Sequence, residues 1–596
     1  MEFNINCEES AGEMNHFWNS TGFTPAKLLL RPDMEQTIKY YGSVANEGIK
    51  YVRIHYLLNL VTANNIESDN PEYDWTELDK GLDLLISNNL RPFFELMGNP
   101  APDFFNDFTN SNQVYAWKNL VKELTEHCIN RYGQKEVRKW YFETSNEPDV
   151  GWDWGWGGTI ECFNNYYDAC LEGIKETDPE LIFGGPGTCQ QLTPFLKGFF
   201  KHCDQGTNFF TGETGVRIDF ISVHEKGVKA HQEDLNPDSL GITNREEDII
   251  EYLRNNHSDL AKLPFMNNEC DPQIGWGHIH TWRAKPYYPA ISSKIINQHL
   301  LRFEEIGVDY DLLSNDNGFM GTWGNRTLLT RLGDEEEIEK GKFSLIKKPI
   351  MNLMSMLSRL GEKRCQIEPE PEDSSDIGVI ATKSNQEQIA VLVYHSRDQI
   401  MSSGKENIEL NIKGIPFKEG IKVHYRIDDK HGNPFGVWEK MGAPDQPSVK
   451  QLNQIRAYQE LSSLNKPETV NIKQGQLNLE FALPLPAVSL ILITNKNCDI
   501  REKNIKEISA DIYAGINENK EEILLSWSPI NSSYLKTYEI MISENENGPF
   551  KKLNTVNIID SCYLHLRDEN SSELCYKVRP VYFGGVKGEF SDIVEI

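Results

Sequence analysis

Between Tyr51 and about Leu360 the chain repeats one pattern: a short apolar or aromatic run, a polar break, then a stretch whose apolar positions recur three and four apart. Short runs bounded by turns read as strands, and the stretches between them as amphipathic helices that cover them. The strand runs are Tyr51–Tyr56, Pro92–Met97, Lys139–Glu143, Leu181–Gly184, Phe220–His224, Pro264–Asn267 and Tyr310–Ser314. An eighth, with a poorer pattern, falls near Phe17–Phe23. Strand and helix in alternation predict a parallel sheet, and seven or eight such units predict a (β/α)8 TIM barrel over residues 1–360.

After Leu360 the period changes to two. Ile377–Ala381, Ile389–Tyr394, Ile408–Ile412, Val423–Ile427 and Val488–Ile493 read as strands of an antiparallel β-sandwich over 361–496, with a helix inserted near Ser448–Ser462. The extreme N-terminus is a candidate further strand of that sandwich. The acidic, proline-containing run Glu368–Asp373 reads as an exposed connection, and the polar run Lys496–Glu507 as a linker. In 497–596, Ile523–Pro529, Thr537–Ile542 and Cys575–Arg579, with Trp527 and Tyr576 as core aromatics, resemble a fibronectin type III module.

Charge narrows the partners. Lys and Arg number 60 against 89 Asp and Glu, a net −29, which argues against nucleic acid or an anionic membrane surface. No apolar stretch reaches the roughly 18–20 residues of a membrane span. The opening residues carry neither a basic nor an apolar leader segment, and the composition is rich in Lys, Glu, Asn and Ile. A bacterial cytoplasmic protein is therefore expected. The 11 cysteines are odd in number and include no Cys-x-x-Cys pair, which excludes the common zinc spacings and disfavours a disulfide framework. Cys562 and Cys575 could bridge, but free thiols are expected.

Two glutamates stand where barrel strands end: Glu147 in Asn146-Glu147-Pro148, and Glu269 in Asn268-Glu269-Cys270. Cleaving a glycosidic bond takes two carboxyl groups, one to protonate the leaving oxygen and one to attack the anomeric carbon. Strand ends of a barrel are where catalytic groups gather.

Longer motifs resemble the α-L-iduronidases of glycoside hydrolase family thirty-nine, within the clan A retaining glycosidases, a family that also holds β-xylosidases. They are Phe17–Phe23, Arg53–Leu58, Asn165–Cys170, His202-Cys203, Gly206–Gly227, Asn268–Trp276, Leu312–Asn317 and Asn325–Thr327, and the likeness extends over nearly the whole chain. The resemblance implies Glu147 as acid/base and Glu269 as nucleophile, with no metal and no cofactor. Close approach of an ionised Glu269 is expected to raise the pKa of Glu147. Arg53 is expected to hold Glu269 ionised, His55 to bond a sugar hydroxyl, Asn146 to bond the 2-hydroxyl, His224 to be a general sugar contact, and Asp316 to bond ring hydroxyls or only to cap a turn.

α-L-Iduronate is close to β-D-xylose with a carboxylate added at C5. By resemblance, Lys226, Arg326 and the backbone amides of Gly275 and Trp276 would receive that carboxylate; a bland alternative makes Arg326 a surface ion pair. The run of Trp152, Trp154 and Trp156 departs from the family pattern and suits either a leaving-side stacking platform or a hydrophobic plug or oligomer contact. The sequence therefore predicts a retaining exo-hydrolase that removes terminal α-L-iduronic acid from dermatan or heparan sulfate fragments. Small oligosaccharides with a terminal uronic acid suit its charge better than long sulfated chains. A β-xylosidase on the same scaffold and a non-catalytic glycan-binding protein are the alternatives.

Overall fold

In the computed structural model, the strands Ser20–Phe23, Tyr51–Ile54, Arg91–Glu95, Tyr141–Glu143, Ile182–Thr188, Ile221–Val223, Phe265–Asn267 and Tyr310–Asn315 close into a barrel, the last pairing back onto the first. Every pair is parallel. The structure describes all residues except 24, 69, 151–158, 230–234, 276–277, 316–320, 370–371, 385–386, 498–503, 533 and 570–572. Trp152, Trp154, Trp156, Trp276 and Asp316 lie outside the described residues.

Alternate residues of a barrel strand face the interior, so each strand contributes to successive layers. One layer is apolar: Tyr51, Phe93, Phe220, Met266 and Leu312 are buried together, with Tyr141 and Ile182 packed against them. Two residues further along the same strands come Arg53, Glu95, Glu143, Ser222, Asn268 and Ser314, all buried. The polar layer thus rests on a dry floor, where charges interact strongly and need partners. Covering helices start as their sequences direct: the Asn110 side chain accepts from the Asn112 amide before helix Ser111–Tyr132, and Thr193 accepts from Leu196 before helix Pro194–Gln205.

The second region is a 10-stranded sheet. Strand Glu2–Glu13 lies inside it, antiparallel to Lys363–Glu368 and parallel to Gly404–Lys413. The N-terminal run alternates, and its Phe3, Ile5 and Cys7 face a core shared with Val391, Leu410 and Ile491. Glu368, read as part of a connection, ends a strand. Two helices are inserted where one was expected, Pro434–Lys440 and Val449–Ala457; a Ser448/Gln451 capping box starts the second.

The C-terminal strands form a three-stranded and a four-stranded sheet around Trp527, Tyr538 and Tyr576. Cys562 and Cys575 are free thiols in different sheets. This module is locked to the rest through buried charge: Lys347 bonds Asp560 at 3.0 Å and also pairs with Glu460, while Ser355 donates to Asp560 at 2.7 Å.

Replacing Lys347 with Met would leave two buried carboxylates without their cation. A loss of about 3–5 kcal/mol is expected. Denaturant titration measures it; a midpoint equal to that of the unmodified chain would refute the lock.

Candidate active site

Arg53 is the hub of the polar layer. Its guanidinium pairs with Glu95, with Glu143 at 2.7 Å and with Glu269 at 2.9 Å, and donates to Asn146 Oδ1 at 3.1 Å. Asn268 adds a bond to the other Glu143 oxygen at 2.7 Å. His55, two residues along the Arg53 strand, lies 2.7 Å from Glu95 through Nδ1 and 3.3 Å from Glu269 through Nε2. Burial alone would lower the His55 pKa, but Glu95 and Glu269 outweigh it and raise it to about 10. A sugar hydroxyl that reaches His55 must therefore share Nε2 with Glu269.

Glu147 follows the fourth strand and Glu269 the seventh. One oxygen from each, with a His224 nitrogen, lie within 4.8 Å of one another. The two carboxyl groups thus face one another across a small gap, the arrangement that a nucleophile and acid/base pair require. Glu147 has φ +44°, a conformation costing a non-glycine residue about 1–3 kcal/mol. The turn is pinned by its amide on Gly187 O at 3.0 Å and its carbonyl on the Val150 amide at 3.2 Å.

Lys226 sits between the two carboxylates, 2.8 Å from Glu269 and 3.7 Å from Glu147. His224 bonds Glu147 at 3.0 Å. Burial pushes the Glu269 carboxyl up, but His224, Lys226, His55 and Arg53 together hold it well below the usual carboxylate range. Glu147 corrects an expectation. Burial and Glu269 do push its pKa up, yet Lys226 and His224 outweigh them, and it lies below the ordinary value.

Gly275 lies beyond the seventh strand with φ +96°. Arg326 is not a surface ion pair: it is 1% exposed, with Nε 3.9 Å from Asp271. Glu143, Asn268 and Asp271 were not read as site residues from sequence. Their signal was weak: inward register at strand ends, shared by many structural polar residues. Glu147, His224 and Glu269 are close enough to grip a cation. Arg53, His55 and Lys226 already surround those oxygens and would repel one.

Paired carboxyls at this spacing, on strand ends of a closed parallel barrel, are the machinery of a retaining glycoside hydrolase. The chain belongs to glycosyl hydrolases family 39, whose model matches residues 1–473. It is 32% identical to human α-L-iduronidase over 99% of this chain and 92% of that protein. A β-xylosidase of Caldicellulosiruptor saccharolyticus is 28% identical over 83% of this chain and 99% of its own length. A solved bacterial orthologue of human α-L-iduronidase superposes with TM-score 0.93 at 34% identity, covering 100% of this chain and 99% of that one. Its substrate is accordingly a carbohydrate.

His55 supplies a pH test. A group whose pKa is raised by folding contributes stability that is complete below its unfolded value, ~6.5, and is lost as pH rises through the folded value of about 10. His55→Gln should therefore cost most near pH 6 and progressively less toward pH 10. Melting curves for both proteins across that range measure the gap; a gap that widens with pH would contradict a charged His55.

Proposed function

We propose that the protein is a retaining exo-α-L-iduronidase. It removes non-reducing terminal α-L-iduronic acid from small dermatan or heparan sulfate fragments, in the cytoplasm. The observation that carries this reading is Lys226, a buried ammonium held between the two catalytic carboxylates. Xylose offers no carboxylate for such a cation to meet, whereas iduronate does. The full-length likeness to iduronidases supports the same choice over a β-xylosidase.

In the first step Glu269 attacks the anomeric carbon while Glu147 gives its proton to the leaving oxygen, leaving a covalent glycosyl-enzyme. Glu147, now a carboxylate, then takes a proton from the water that releases the sugar, and Glu269 departs. Asn146 receives Arg53 on its oxygen, so it offers the 2-hydroxyl its NH2 group. Asp316 and Trp276 are assigned to substrate by family likeness.

Initial rates on aryl α-L-iduronide and aryl β-D-xyloside test the reading, with Glu269→Ala as blank. Iduronide turnover that vanishes in the variant is expected; turnover of xyloside alone would overturn it. Glu147→Gln should lower kcat/KM on a poor leaving group by about 10²–10⁴ and spare kcat/KM on an activated dinitrophenyl glycoside, which needs no proton, while kcat on that glycoside falls because the glycosyl-enzyme has lost its base.

A uronate that draws on Lys226 weakens its hold on Glu147 and brings a second negative charge. The pKa of Glu147 then rises, so proton donation survives to higher pH in the complex. The alkaline limb of kcat should lie above that of kcat/KM. Coincident limbs would separate Lys226 from the substrate carboxylate.

A further inference from the structure

The three described groups assigned above to the uronate carboxylate come from separate loops: Lys226 after the sixth strand, the Gly275 amide after the seventh, and Arg326 after the eighth. All three lead back to one buried pair, Asp271 and Arg283, which are 1% and 0% exposed. Arg283 donates through Nη2 to Asp271 Oδ1 and to Gln273 O, both at 3.0 Å. Through Nη1 it donates to Gly275 O at 3.2 Å and His278 O at 3.1 Å. One guanidinium therefore gathers four acceptors along residues 271–278, and its plane lies over the Trp282 ring at 5.0 Å.

Asp271 extends the frame in two directions. Its carbonyl accepts from the Gly227 amide at 2.9 Å, next to Lys226, and Pro272 O accepts from Val228 at 3.0 Å. Its carboxylate accepts from the Gln273 amide at 2.9 Å and Tyr288 Oη at 3.2 Å, and Arg326 Nε stands 3.9 Å away. The Arg326 loop is also held from behind, where Lys348 Nζ donates to Asn325 O at 2.7 Å and Trp323 O at 3.3 Å. Only a planar, multi-donor cation can serve acceptors spread this way; a single ammonium cannot.

We propose that Arg283, acting with Asp271, is the positioning residue that fixes Lys226, the Gly275 amide and Arg326 in one frame and so sets the preference for an acidic sugar without touching it. This rests on the uronate reading above. Among the described residues, neither Arg283 nor Asp271 bonds Glu143, Arg53, Glu147 or Glu269, so losing the pair should impair recognition of the carboxylate more than recognition of the sugar ring.

The test compares two competitive inhibitors: a piperidine iminosugar bearing a carboxylate on the carbon equivalent to C5, and the same ring without it. The unmodified enzyme should prefer the carboxylated ring. In Arg283→Met that preference should fall by about 10- to 100-fold, the scale of a group misplaced by about an ångström, while the inhibition constant of the neutral ring stays within about threefold. Arg283→Lys keeps the charge and should not restore the preference, whereas a role limited to charge balance would be rescued. Tyr288→Phe, which removes one bond to Asp271, should lower the preference in the same direction by less, and it decides the matter if the Arg283 variants fail to fold. An unchanged preference, or equal weakening of both inhibitors, would overturn the proposal and leave the uronate reading intact. No preference in the unmodified enzyme would overturn the uronate reading, and the proposal with it.

Discussion

A guanidinium buried among three carboxylates is the constraint on which the rest depends. Arg53 is 2% exposed and rests on an apolar layer of strand residues, where an unpaired charge is costly. It is tolerable only because Glu95, Glu143 and Glu269 converge on it from three other strands. The barrel supplies that convergence, since inward positions on successive parallel strands meet in one layer. The same contacts orient Glu269 and keep it ionised, which is the state a nucleophile needs. What stabilises the interior also prepares the chemistry.

The outer regions hold the loops that this layer leaves unsupported. A sandwich loop reaches the segment after the sixth strand: Asp398 accepts from the Ser239 amide at 3.0 Å, and the Ile400 amide donates to Asn236 at 3.2 Å, while Lys294, on the helix after the seventh strand, holds Asp398 at 3.1 Å. Lys226 begins that segment. Closer in, Glu225 pairs with Lys229 at 2.8 Å and Arg245 at 3.1 Å, and Arg245 also bonds the Lys226 carbonyl. A lysine side chain gives up considerable rotamer freedom when fixed. Anchoring its backbone from both sides limits how many positions its ammonium must be held against.

The strand order was legible because buried strands are short apolar runs between turns, and the seven clear runs and the poorer eighth all became barrel strands. Glu147 and Glu269 were legible because a polar residue just past such a run lands at the barrel mouth. The role of the N-terminal strand was only half legible. Alternation marks Phe3, Ile5 and Cys7 as one face, but its two neighbouring strands lie hundreds of residues away and no local signal names them. Glu143, Asn268, Asp271 and Arg283 were illegible for the same reason: each acts through partners on other elements. The pKa of Glu147 failed for a related cause. One neighbour was read from sequence, but the sign is decided by the sum over four influences, two of which, Lys226 and His224, favour the carboxylate.

The charges also bear on why a β-xylosidase and an iduronidase can share a scaffold. Four carboxylates meet here, those of Glu95, Glu143, Glu147 and Glu269, against the cations Arg53 and Lys226 and a His55 whose pKa is raised to about 10. Apart from His224, these groups carry one excess negative charge. A neutral sugar leaves that balance alone. An anionic sugar does not: it needs a cation it can share, or a proton must enter. On the proposed uronate reading, Lys226 would supply the first, and in sharing itself it would loosen Glu147, which would supply the second by accepting the proton that the leaving group requires. On that reading, recognition of the acid and readiness to cleave are coupled through one ammonium, while Arg53 and its carboxylates stay as they are. On that reading, a preference for an acidic sugar is set in the loops above a floor of Arg53 and its carboxylates.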